Sequence, residues 1–291
     1  MGGDHLEFRS LLEPVEGCAL ARCKNGAVYF RMHYTVDPTK RDPQWIADGR
    51  RRIGSKEWDQ QMEMSETVHE GVPVYSVFEE LLHAPEKYRK NPIPILPQCL
   101  YFGGWDCGTA RTPAFSLLQV MTHPAQIHKI GEVISMGGES MELFAPRVLS
   151  YLMTQFSAIW GDIKHYADAT VNTKGGNREE SSRDVARKHG LNLLPVSNAW
   201  APRYAAMEWA LKGRIDERTP LYLLDGSRCP TTLEAYQGGY KWRVSAAGDE
   251  VGAGRILLEP AKNIFSHIAD SEQYPMVKIR QLLSGGGARK Q

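Results

Sequence analysis

Apolar and polar positions along the chain switch between two periods, and the switches place the elements. Val28-Tyr29-Phe30-Arg31-Met32-His33-Tyr34 is rich in aromatic residues and follows an Asn25-Gly26 turn signal, which predicts a strand. Asp42-Pro43 opens a polar helical stretch to about Met64, and Gly71-Val72-Pro73-Val74-Tyr75 follows as an extended segment. Pro85, Pro92, Pro94 and Pro97 then crowd a short span that marks a linker or boundary. From Leu100 the pattern becomes α/β. Leu100 to Asp106, Ala114 to Val120 and Ile127 to Ile134 are three strands whose spacing predicts an antiparallel meander. Ser140 to Phe156 is helical, with Leu143, Val148, Leu149, Leu152 and Phe156 near one face. Ile163 to Asp168 is a short strand. Ser181-Ser182-Arg183-Asp184 has the form of a capping start for a helix that stops at Gly190. Leu191 to Val196 is a further strand, and Pro202 suits the first turn of a helix ending near Gly213. Lys241 to Pro260 predicts a hairpin, and a final helix carries His267 and Asp270. Pro275 lacks an N–H and clashes one turn back at Ser271, so that helix is expected to kink or end there, with Tyr274 a less secure core residue.

Three strands, a helix, a strand, a helix, a strand and a helix are the order of an RNase H-like fold. The expected class is α/β, a mixed sheet of a three-strand antiparallel meander plus parallel strands, flanked by helices. An N-terminal arm or linker region over residues 1–90 precedes the α/β domain at 91–283, and a disordered tail is expected at 284–291. Hydrophobic residues at 42% and charged residues at 24% are ordinary globular values, so the chain can bury a core. A net charge of +1 excludes no partner class, because basic residues can cluster on one face while acids gather in a site. Cys18, Cys23, Cys99, Cys107 and Cys229 include no CxxC pair and are expected to be reduced thiols rather than zinc ligands. The start of the chain has Asp4, His5 and Glu7 in place of an apolar signal core, and no apolar run approaches the roughly 20 residues of a membrane helix.

The candidate chemistry lies in three acids. Asp106 and Asp168 end predicted strands, and Asp270 lies on the last helix. Hard divalent cations take oxygen ligands, and two such ions about 4 Å apart can activate water and stabilise the leaving oxygen of a phosphodiester. A short Asp side chain at a strand end fixes its oxygens, and Gly103, Gly104 and Gly108 allow close approach. A single strand-end Asp is more often a turn or cap residue, so the weight rests on the ordered set.

Gly104-Trp105-Asp106-Cys107-Gly108, followed by Thr112-Pro113-Ala114, resembles the first nuclease motif of viral large terminase subunits. Tyr166-Ala167-Asp168, with Ser181-Ser182 and Asn198, resembles the second motif region. His267-Ile268-Ala269-Asp270-Ser271-Glu272-Gln273-Tyr274 resembles the third. Val28 to Asp37, the stretch from Trp45 to Met64 and Gly71-Val72-Pro73-Val74-Tyr75 are similar to the part that joins terminase ATPase to nuclease. The resemblance implies a tailed-phage terminase nuclease that cuts concatemeric viral DNA during packaging, in the cytoplasm of the infected host cell. It implies two Mg²⁺ or Mn²⁺ ions, with Asp106 on both and Asp168 and Asp270 each completing one site. The expected partners are double-stranded DNA, a packaging ATPase domain or subunit, small terminase and portal, with no membrane. Two departures stand out. Ala169-Thr170-Val171 replaces the Pro-Ala-Gly that often follows the second acid, and Asp162 lies six residues earlier as an alternative to Asp168. No Gly-x-x-x-x-Gly-Lys-Ser/Thr loop occurs, so the cutting half of the motor is expected without its ATPase.

Lys174, Arg178, Arg183, Arg187 and Lys188 follow the second acid around Gly175 and Gly176, and are candidates for phosphate contact or a solvated helix face. Lys241 and Arg243 on the hairpin could flank the same cleft. Arg50-Arg51-Arg52 is a solvated face or a contact to the ATPase, and Trp200, Trp209 and Trp242 are packing residues. Two further functions compete with the terminase nuclease. One is a non-catalytic DNA-binding or docking module; the other is a different RNase H-like nuclease such as a resolvase.

Overall fold

Leu100–Asp106, predicted as the first strand of the α/β region, occupies an inner position in a six-stranded mixed sheet. The computed structural model describes residues 6–7, 18–23, 28–53, 72–107, 112–135, 138–174, 180–244 and 256–285. The chain divides into two units, Met1–His69 and Glu70–Gln291. In the first, β1 (Leu6–Glu7), β2 (Cys18–Cys23) and β3 (Val28–Met32) form an antiparallel sheet, and α1 (Pro43–Ile53) follows. Arg50, Arg51 and Arg52 fill the last turn of α1, where cations suit the helix dipole.

The second unit holds the α/β fold. Short helices α2 (Glu80–His83) and α3 (Glu86–Lys90) lead to β4 (Leu100–Asp106), β5 (Ala114–Thr122) and β6 (Ala125–Ile134). Then come α4 (Met141–Gln155), β7 (Lys164–Asp168), α5 (Ser182–Lys188), β8 (Leu193–Val196) and α6 (Trp200–Lys212). The unit ends with β9 (Tyr222–Leu224), α7 (Pro230–Glu234), the hairpin strands β10 (Trp242–Val244) and β11 (Ile256–Pro260), and α8 (Ile264–Gly285). The sheet order is β8-β7-β4-β5-β6-β9. β4, β5 and β6 are antiparallel, whereas β7 joins β4 and β8 joins β7 in parallel. That is the predicted meander plus parallel strands, the RNase H-like arrangement. β9, which the pattern did not reveal, adds in parallel to the far edge of β6. At three residues it is too short to show a period.

Both faces of the sheet are covered, so its strands are apolar nearly throughout. Trp105, Phe115 and Leu117 pack with Phe144, Val148 and Leu152 of α4 and with Val185 and Ala186 of α5. Phe102, Leu118 and Val120 pack on the opposite face with Ala206, Met207 and Ala210 of α6 and Ile268 and Met276 of α8. Leu143, expected on the buried face of α4, is instead 65% exposed.

Residues 72–90, part of the segment expected as arm or linker, belong to the second unit. Val74, Tyr75, Ala84 and Ile93 are buried in the second unit. The prolines of 85–97 route an extended segment across that unit instead of separating domains. Side chains serve its backbone: Ile93 N–H donates to Asp225 Oδ2 (2.7 Å), Leu96 N–H to Gln119 Oε1 (2.8 Å), and Gln119 Nε2 to the Pro94 carbonyl (3.2 Å). α8 continues to Gly285, and the rest of the expected tail lies outside the described residues.

α8 also continues through Pro275, so of the expected kink or end the helix does not end there. A proline ring has no N–H for the carbonyl one turn back, here Ser271. That carbonyl lies against Gly104 of β4: a Cβ on Gly104 would sit 1.9 Å from Ser271 O and 2.7 Å from Pro275 Cδ. The helix therefore rests on bare backbone, and Tyr274, expected to be insecure, is 4% exposed.

A charged pair lies inside this packing. Lys129 and Glu272 are both fully buried, with Nζ 3.3 Å from Oε2. Lys129 also donates to Ser116 Oγ (2.7 Å), while Tyr222 and Tyr236 hydroxyls donate to Glu272 at 2.6 and 2.7 Å. Removing one member of a buried pair leaves an uncompensated charge. Glu272→Ala is expected to cost roughly 3–5 kcal/mol in chemical denaturation, and the double change Lys129→Met with Glu272→Leu clearly less. Gly104→Ala is expected to destabilise by about 2 kcal/mol or more, because the clash is with helix backbone. The same denaturation measurement checks both.

Candidate functional site

Parallel pairing places the first two acids side by side. Trp105 of β4 is in register with Ala167 of β7, so Asp106 and Asp168, the next residues, end neighbouring strands at one sheet edge. Asp162 lies in the turn before β7, exposed and at the opposite end of that strand. The structure thus brings Asp168, not Asp162, beside Asp106. α8 crosses behind β4 and β7 and contributes Asp270. All three carboxylates are buried, at 8%, 9% and 4% exposed.

Each buried carboxylate needs compensation, and each has a different kind. Asp106 Oδ2 lies 2.8 Å from His267 Nδ1, and His267 Nε2 lies 2.9 Å from Thr112 Oγ1. The imidazole thus bridges the acid and the threonine hydroxyl through its two ring nitrogens. Asp168 caps the turn that follows it: Oδ1 accepts from Thr170 N–H (2.6 Å) and from the Thr170 hydroxyl. Asp270 is held by cations. Oδ1 accepts from Arg203 Nη1 (3.0 Å) and Oδ2 from Lys262 Nζ (2.8 Å).

Two neutral groups show that the acids share one locality. Burial pushes the Cys107 thiol well up, and the Asp168 and Asp106 charges push it further. Burial also raises the Tyr274 hydroxyl; Arg203 opposes this, and Asp106, Asp270 and Asp168 all reinforce it. One phenol is therefore within electrostatic reach of all three acids. Arg203 stacks over that ring, its guanidinium carbon 4.8 Å from the Tyr274 centroid and 5.8 Å from that of Trp200. Its Nε is buried and has no hydrogen-bond partner among the described residues.

Asp106, Asp168 and Asp270 are the oxygen donors here that could hold a hard divalent cation. Among the described residues, no three His, Cys, Asp or Glu side chains are grouped closely enough to hold one ion as they stand. The oxygens of Asp270 face Arg203 and Lys262 instead. The donor chemistry therefore suits such an ion, provided that Asp270 exchanges at least one cation for it.

Sequence reasoning quoted Thr112 only as part of the first motif, without a role, and did not single out Arg203 or Lys262. Arg203 lies one helical turn after Trp200, a spacing that signals only a shared face. Lys262, in the loop between β11 and α8, carries no signal at all.

Among the basic residues, Lys174 is exposed just beyond the turn capped by Asp168. Arg183 donates to Asn172 Oδ1 of that turn (3.2 Å). Lys188 pairs with Glu180, and Arg187 lies 3.6 Å from Asp184. Lys241 lies beside Lys262 in the chain path, its carbonyl accepting from Ala261 N–H (2.8 Å), and Arg243 is exposed. Arg178, Gly175, Gly176 and Gly108 lie outside the described residues. Trp200 and Trp242 pack edge to face at 5.9 Å, as expected for packing residues.

Trp105 is anchored behind the site. Its Nε1–H donates to His165 Nδ1 (3.1 Å), and burial pushes His165 down to about 4 from 6.5. A histidine lowered in this way binds its proton more weakly when folded. Stability therefore falls as pH drops from about 6.5 toward about 4, by on the order of 3 kcal/mol. Replacing His165 with Gln, which keeps an acceptor for Trp105, is expected to flatten that part of the stability-versus-pH curve measured by urea unfolding.

No family model and no curated protein matches the chain. Among solved structures it is similar to the large terminase of a thermophilic bacteriophage, at 18% identity and a TM-score of 0.49, over 82% of this chain and 52% of that one. It is also similar to the P22 large terminase nuclease domain, at 11% identity and a TM-score of 0.46, over 72% and 92% of the two chains. The nuclease domain of the bacteriophage SPP1 large terminase, solved with bound Mn, is 16% identical with a TM-score of 0.40, over 70% and 96%. The chain spans about half the length of the thermophilic phage terminase. All three are phage large terminases or their nuclease domains, the family that the sequence motifs resemble.

Proposed function

We propose that this chain is a metal-dependent endonuclease that cuts double-stranded DNA, the nuclease part of a phage packaging terminase. The observation that carries this reading is that Asp106 and Asp168 end neighbouring parallel strands, while the helix carrying Asp270 packs across those strands and reaches Asp106 through His267. When bound at these carboxylates, Mg²⁺ or Mn²⁺ supplies the charge that acidifies a water and stabilises the leaving oxygen of a phosphodiester.

The protein groups divide the remaining work. His267, backed by Thr112, fixes the rotamer of Asp106. Thr170 fixes Asp168. Cys107 and Tyr274 close the site with neutral side chains that exclude water behind the acids. Lys174, Arg178, Arg183, Lys188, Lys241 and Arg243 are the proposed phosphate contacts, which position DNA without reading its sequence. A packaging ATPase, small terminase and portal are the proposed partners.

A second reading, a non-catalytic DNA-binding or docking module, is favoured by one observation: both oxygens of Asp270 are engaged by cations. Supercoiled plasmid incubated with Mn²⁺ separates the two. Nicking and linearisation are expected, abolished by Asp106→Ala and reduced roughly 10- to 100-fold by His267→Ala. Intact plasmid, with folding verified by circular dichroism, would favour the docking module.

A further inference from the structure

Resting on the metal-dependent reading, we infer that Lys262 is a resident cation at Asp270, occupying the oxygen that a metal ion takes and leaving when the ion enters. Both carboxylate oxygens of Asp270 are filled, but by unequal partners. Arg203, on Oδ1, has a side chain only 9% exposed, springs from α6, and is stacked against Tyr274 and Trp200. Lys262, on Oδ2, has a side chain 70% exposed and sits in the loop before α8. Arg203 is the fixed half of a clamp and Lys262 the half that can move.

The charges explain why such a clamp is useful. Three buried carboxylates in one locality repel one another. His267 and Thr170 serve Asp106 and Asp168 with hydrogen bonds. Asp270 receives full positive charges, two of them. Those charges offset the repulsion and keep the cluster together before any ion arrives. A divalent ion then supersedes the ammonium, whose flexible stem reaches water without disturbing the helices. Arg203 stays, keeping Oδ1 oriented. The same arrangement fits the absence of a finished three-ligand site among the described residues.

Lys262 thus competes with metal and lowers its apparent affinity. Calorimetric titration of the full chain with Mn²⁺ tests this without reference to cleavage. Lys262→Met is expected to bind Mn²⁺ roughly two- to fivefold more tightly, the scale of an exposed ion pair. Lys262→Arg, which keeps the charge, is expected to bind no more tightly than the unaltered chain. In a second arm, Lys262→Met is combined with Asp270→Asn, and there its gain is expected to vanish, because the coupling runs through that carboxylate. An equal gain with and without Asp270→Asn would mean a general field effect and overturn the inference. Unchanged affinity in Lys262→Met would overturn it while leaving the metal reading intact. Absence of any Mn²⁺ binding by the folded, unaltered chain would overturn both.

Discussion

The placement of the last helix depends on one buried ion pair. Glu272 of α8 meets Lys129 of β6 in the interior, with Tyr222, Tyr236 and Ser116 completing the hydrogen bonds. A charge pair out of water is tolerated only when its geometry is good and its remaining donors and acceptors are served. That condition specifies the helix rotation about its own axis. With Glu272, Ile268 and Met276 facing inward, His267, Asp270 and Tyr274, three and four residues apart, share the neighbouring stripe toward the strand ends. A turn of the helix large enough to misplace Asp270 would strand Glu272.

The ion pair sets rotation, and Gly104 sets distance. β4 carries a glycine where α8 crosses, and α8 offers the Ser271 carbonyl and the Pro275 ring at that point. The proline removes a hydrogen bond within the helix without ending it. The result is a helix close enough for His267 to reach Asp106 at 2.8 Å. The residue that a local rule marks as a breaker is here part of a contact between elements.

The site itself is an exercise in making buried negative charge acceptable. Asp106 is neighboured by an imidazole, Asp168 by the start of a short helical turn, and Asp270 by a guanidinium and an ammonium. The surrounding neutral groups, Cys107 and Tyr274, are pushed further from ionisation by those acids.

Much of this was legible from local pattern alone. Strands β4 to β8, the cap at Ser181 with Asp184, and the two acids at strand ends follow from periodicity and capping chemistry, which act over a few residues. The terminase-like motifs named Asp106, Asp168 and Asp270. The sequence favoured Asp168 and kept Asp162 as the alternative; the parallel register of β4 with β7 puts Asp168 at the strand end next to Asp106, a placement that depends on long-range pairing. The sequence could not show that the proline-rich segment is core-packed, that Pro275 would be accommodated by Gly104, or that Arg203 and Lys262 would hold Asp270. Arg203 and Asp270 are 67 residues apart, and nothing local links them. Local chemistry determined which elements form and which acids end them. Only the tertiary structure decided what each acid faces, because the partner of a buried charge is set by packing across the fold.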